Sequence, residues 1–136
     1  MAAPVVSTQK LVDTTHRVVY KFTNLSDGTA QETGVTKVDL TTLNGYQTGA
    51  SLVLTQASCV ISSGVVQIIW GGVVDSLAVT LTGSWHHVYN GTLAAPITND
   101  ATTPDAENYV KFTTLGFPAN SGYTICLEFK KVGFPY

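Results

Sequence analysis

The sequence predicts an all-β fold, an antiparallel β-sandwich of about eight strands with jelly-roll or related Greek-key topology. Three observations predict it. Short runs of alternating apolar and polar residues recur along the chain, Gly, Ser, Asn and Asp clusters such as "SSG", "GG" and "NSG" separate them, and no stretch carries a ten-residue amphipathic helical pattern. With 136 residues the chain is long enough for one core and too short for two.

Residues 1–15, "MAAPVVSTQKLVDTT", keep neither period for long and read as an N-terminal arm, ordered only where something binds it. A single sandwich domain is expected over 16–132, and 133–136 form a C-terminal tail. From Arg17 the pattern has period two, with Val18, Tyr20 and Phe22 on one face and Arg17, Lys21 and Thr23 on the other. The following "SDGTAQETG" reads as a connection between core strands. Asp27-Gly28 supplies the positive φ of a tight reversal, and Glu32 with the threonines keeps the rest wet. "GVTKVDL" then sets Thr36, Val38 and Leu40 against Val35, Lys37 and Asp39.

Further strands are expected at 51–61, 64–70, 76–81, 85–89, 109–115 and 122–132. The last alternates most cleanly: Tyr123, Ile125, Leu127 and Phe129 face the core, while Thr124, Glu128 and Lys130 face out. It should anchor its sheet. Residues 90–108 form a long polar connection, and connections above about 12–15 residues are commonly functional or disordered.

Composition narrows the function. Hydrophobic residues make up 44% of the chain but charged residues only 12%, about half the usual share of roughly 25%. A net charge of -2 offers no basic surplus for a phosphate backbone, so nucleic acid is not an expected partner. No apolar run reaches the roughly 18 residues of a membrane span, and "MAAPVVSTQK" lacks the pattern of an export signal. A soluble chain with no membrane partner is expected. Sparse cysteine use favours two buried free thiols at Cys59 and Cys126, with a bridge between them as the alternative.

Between Asp39 and Asp100 the only charged residue is Asp75, and this interval holds both tryptophans. Either a Thr/Ser/Asn coat keeps the surface soluble, or part of these strands lies against another subunit, since interface cores lose charge and gain aromatics. The second explanation is favoured.

Candidate chemistry is thin. His86 and His87 are neighbours on a strand, so their rings point to opposite faces and do not converge on an ion, and His16 is distant in sequence. No serine sits in a G-x-S-x-G turn, and no cysteine stands beside a histidine. Asp39, Asp75, Glu32 and Glu128 occupy no recognisable acid-base setting, and Gly71-Gly72 leads into a strand rather than a phosphate-binding helix. Neither an enzyme nor a metal or cofactor is expected. Trp70, Trp85, Tyr89 and Tyr109 are candidate platforms for a glycan-binding module, although large aromatics in sandwiches are more often core.

Three stretches together, "VVYKFTNLSDGTAQETGVTKVDLTTL" (18–43), "SGVVQIIWGG" (63–72) and "VKFTTLGFPANSGYTICLEFKK" (110–131), resemble small virion structural proteins of tailed bacteriophages. The resemblance runs over most of residues 17–131 and rests on strands and turns, with no catalytic signature. It implies a building block of the particle, foremost a capsid decoration (cement) protein. Such a protein sits on the outer surface of the capsid, as a homotrimer in contact with the major capsid protein and its own copies. A tail, baseplate or other accessory component fits the same pattern. "HHVYNGTLAAPITNDATTPDAEN" departs from it.

The candidate contact residues are Val5, Val6 and Leu11 in the arm, Trp70 and Trp85 on the charge-free strands, and Phe134 and Tyr136 in the tail.

Overall fold

A computed structural model describes residues 5–14, 16–25, 32–47, 50–72, 74–88 and 109–132, with backbone alone at 5, 85 and 87. Among the described residues nine strands are seen: β1 (Val5–Asp13), β2 (Arg17–Leu25), β3 (Val35–Asp39), β4 (Ser51–Ile61), β5 (Val65–Trp70), β6 (Ser76–Leu81), β7 (Ser84–Val88), β8 (Tyr109–Leu115) and β9 (Gly122–Val132). One 3₁₀ turn, Leu40–Thr42, follows β3, capped by the Asp39 carboxylate, which accepts from the Thr41 amide at 3.0 Å. The Asp27-Gly28 reversal and the 90–108 connection lie outside the described residues.

The strands form two antiparallel sheets, β1-β2-β9-β4-β7 and β3-β8-β5-β6. Four antiparallel pairs nest inside one another: β2 with β9, β3 with β8, β4 with β7, β5 with β6. That is the order of one long hairpin rolled up on itself, a plan of the jelly-roll or related Greek-key kind. The expected eight strands are all present. The ninth, β1, comes from residues expected to be an unpaired arm: they pair with β2 from Val5↔Leu25 to Asp13↔Val18, a register slip falling between Lys10 and Val12. Alternation in "VSTQK" is polar on both faces, so periodicity alone could not show this strand.

Inward positions of both sheets interlock in one core. Val18, Tyr20 and Phe22 of β2 and Tyr123, Ile125, Leu127 and Phe129 of β9 are buried, as their alternation predicts. Phe22 meets Phe112 of the opposite sheet edge-on at 4.7 Å, and Trp70 meets Phe129 at 6.0 Å. Full burial of an aliphatic or aromatic side chain of this size contributes roughly 1.5–3 kcal/mol, so these strands hold the sheets together. Trp70 is 2% exposed. Its ring belongs to the core and cannot serve as the partner contact or glycan platform that its setting in a charge-free segment suggested.

Phase slips in the sequence become bulges. In "SLVLTQASCVI" the buried set runs Leu52, Leu54, then Ala57, Cys59, Ile61, one residue out of step. The register against β9 slips between Leu54 and Gln56, leaving Thr55 as the extra residue. Its hydroxyl donates to the Glu128 carbonyl oxygen at 3.0 Å. Without the bulge Gln56, Ser58 and Val60 would turn inward.

Gly122 is required by close approach. A Cβ there would lie 2.0 Å from the Asn24 carbonyl oxygen, a backbone atom, so only glycine lets β2 and β9 pair at this end.

Candidate interaction surface

Charge is distributed unevenly over the sandwich. Lys10 and Asp13 on β1, Arg17 and Lys21 on β2, Lys37 and Asp39 on β3, Lys111 on β8, and Glu128, Lys130 and Lys131 on β9 occupy one side of the two sheets. β4, β5, β6 and β7 carry no Asp, Glu, Lys or Arg at all. The nested topology brings these four consecutive strands together: β4-β7 end one sheet and β5-β6 end the other. Short connections at 62–64 and 82–83 stack the two ends. An interval that looked merely charge-poor in sequence is a contiguous half of the fold.

This half is decorated with apolar and neutral polar groups. On the outer face of the four-stranded sheet, Leu77 stands beside Ile69 and Thr80 beside Gln67. Leu77 is 52% exposed; on the other sheet Val60, at the β4 end, is 61% exposed, with Ser84 opposite it. Asp75, in the β5–β6 connection, is neutralised by Lys111 at 3.2 Å. Exposed apolar groups are not special to this half, since Val6, Leu11, Leu25, Val35, Leu115 and Val132 are exposed on the other strands; what sets it apart is the absence of charge, a feature shared with interface cores.

His86 is exposed opposite Ser58, with its Nε2 3.3 Å from Gln56 Nε2. His87 lies opposite Ala57, the next register position. Among the described residues no group of three His, Cys, Asp or Glu side chains converges where a metal ion could sit. Cys59 is buried and Cys126 half-buried, and no disulfide joins them. They occupy adjacent strands, but Cys126 pairs in register with Ser58, so the two side chains leave opposite faces of the sheet. That parity excludes a bridge and places only one of the two thiols in the core.

Two clusters of charged groups on the other side are structural. Glu32, expected to be solvated, is 7% exposed. It forms an ion pair with Lys37, and its Oε1 accepts from Tyr123 Oη at 2.5 Å and from Asn24 Nδ2 at 3.1 Å. Lys37 is the extra residue of a bulge against β8, which turns its ammonium inward over the Phe112 ring at 5.7 Å. Burial and the bond to Glu32 push the Tyr123 phenol far above its ordinary value. A second cluster ties β1 down. The fully buried Lys131 ammonium pairs with Asp13 and donates to the Asn44 carbonyl oxygen at 2.9 Å, while Lys10 and the Asn44 amide each reach the Asp13 carboxylate at 3.1 Å. Sequence gave no sign of either cluster, because both join residues far apart in the chain.

Of the candidate contacts, Val6 and Leu11 are exposed on β1, at 47% and 48%. Val5 opens the same strand opposite Leu25, and Trp85 stands on β7 opposite Cys59, both with side chains outside the described residues. Phe134 and Tyr136 lie outside them entirely.

Compared with family models, curated proteins and solved structures, the chain matches none.

Proposed function

We propose that this chain is a bacteriophage virion structural protein, most plainly a capsid decoration protein that stabilises the shell by contact with the major capsid protein and with its own copies. The carrying observation is the gathering of β4–β7 into an uncharged half with exposed Leu77 and Val60. A charge-free side suits a subunit that spends its working life covered. The resemblance of 18–43, 63–72 and 110–131 to small phage virion proteins supplies the setting. Stabilisation here needs no catalysis. Several individually weak contacts, made by linked copies, gain effective concentration once the first has formed.

A tail or baseplate position would use the same surface. Glycan binding loses ground, because Trp70, one of its aromatic platforms, is sealed in the core.

The test mixes purified protein with empty capsids lacking decoration. Co-sedimentation and a raised shell melting temperature support a cement role. Binding instead to isolated cell-surface polysaccharide, with no effect on shells, would overturn it.

A further inference from the structure

The five-stranded sheet exceeds its partner by one strand, and the surplus strand is β1. Every described β1 side chain from Val6 to Leu11 is exposed, and none of the buried core residues comes from it. β1 is thus held by its ladder to β2 and by the contacts of Asp13 with Lys131 and Asn44. Only residues 14–16 lie between β1 and β2. The His16 carbonyl oxygen accepts from the Lys131 amide at 2.8 Å, and Thr14 bonds to the Arg17 carbonyl oxygen through its amide at 2.9 Å and its hydroxyl at 3.3 Å, the latter exposed. Water replaces such bonds at little cost.

We infer that β1 is an exchangeable strand, which leaves its own β2 and seats on the β2 edge of a second copy of this chain. The occupant of that edge is fixed by what the edge already holds. It takes the β1 sequence in one register, marked by the slip at Leu11, and it ends in a buried socket of Lys131 and Asn44 that receives the Asp13 carboxylate. Straightening residues 14–16 continues β2 into β1, and nine residues at about 3.3 Å each carry the strand roughly 30 Å beyond its domain. Every ladder bond and the Asp13 contacts are then regained between copies, with no core side chain disturbed. A half-open copy keeps Lys131 buried without Asp13, which disfavours intermediates and makes exchange all-or-none. Passed in one direction around a ring, the strand closes a cyclic oligomer.

The inference does not rest on the shell assignment, since it is read on the isolated chain. The test places Ser7→Cys and Thr23→Cys, register partners across β1 and β2, in full-length protein carrying Cys126→Ser, and cross-links them by oxidation or a short bismaleimide. Exchange predicts covalent oligomers on a denaturing non-reducing gel, from samples that light scattering shows to be associated. Cross-linking confined to the monomer band overturns it, and so does a wild-type chain that stays monomeric at every concentration. A strand of the shell protein as the true occupant would give that monomer-only result. In a second variant the 14–16 connection is lengthened by four Gly/Ser residues, which removes the short connection that favours swapping. Self-association should then need at least about tenfold more protein; an unchanged midpoint contradicts exchange.

Discussion

Lys37 and Glu32 meet inside the sandwich as an ion pair, brought together by a bulge of one residue in β3. Both side chains are almost fully removed from water, so each depends on the other. Removing one partner of a buried pair costs about 3–5 kcal/mol, whereas neutralising both costs far less. Lys37→Ala should therefore lower the unfolding free energy by about that amount. Glu32→Gln with Lys37→Met, which keeps an acceptor for Tyr123 and Asn24, should recover most of it. Urea denaturation of the three proteins checks this, and a loss under about 1 kcal/mol in Lys37→Ala contradicts it.

The pH dependence has two limbs. Burial pushes the Asp13 carboxyl up, but hydrogen bonds from Lys131, Asn44 and Lys10 outweigh burial and leave its pKa below the ordinary 3.8. A depressed folded value means stabilisation that is present above 3.8 and lost as pH falls through the folded value. Tyr20 moves the other way: burial, then the charges of Asp13 and Asp39, push it up to about 12 from 10.0. Its contribution is complete below 10.0 and fades as pH rises toward 12, and Tyr123 acts in the same direction. Denaturation midpoints should fall below about pH 4 through Asp13 and above about pH 10 through the two tyrosines. Asp13→Asn should shallow the acid limb alone; an unchanged limb contradicts the Asp13 assignment.

The two thiols should behave differently. Cys126 is half-buried on the outer face and Cys59 faces the core. A thiol-reactive chromophore should label Cys126 in the native protein and Cys59 only on unfolding. Simultaneous reaction of both, or an intramolecular bridge under oxidising conditions, would contradict the parity of β4 and β9.

A charge placed on the uncharged half should separate folding from association. Leu77→Lys lies on an exposed edge position, where substitutions usually change stability by within about 0.5 kcal/mol. Its melting temperature should match the wild type while shell binding or self-association weakens. Unaltered association would show that β6 faces solvent in the assembly.

The fold was largely legible because burial in a sandwich follows period two. Val18, Tyr20 and Phe22, and the four apolar positions of β9, state their faces outright. What stayed hidden was whatever breaks the period or crosses the chain. Strict alternation sets Lys37 on the face opposite Val38, and the bulge turns it inward. Glu32 looked solvated because Lys37 and Tyr123 are brought to it only by the fold. β1 was missed because both its faces are polar. Trp70 shows the reverse error: an aromatic in a charge-free run suggested a contact, whereas the same run supplies core and exposed surface from alternate residues. The surface itself could be suspected from the missing charges, but its contiguity depends on the order in which the hairpin rolls.

The most direct test of the central claim is an electron cryomicroscopy reconstruction of intact particles that carry the protein. A decoration role places the sandwich on the outer surface of the capsid, with β4–β7 pressed against the shell or a neighbouring copy. A position away from the head, or a capsid position in which β4–β7 face open solvent, would contradict it.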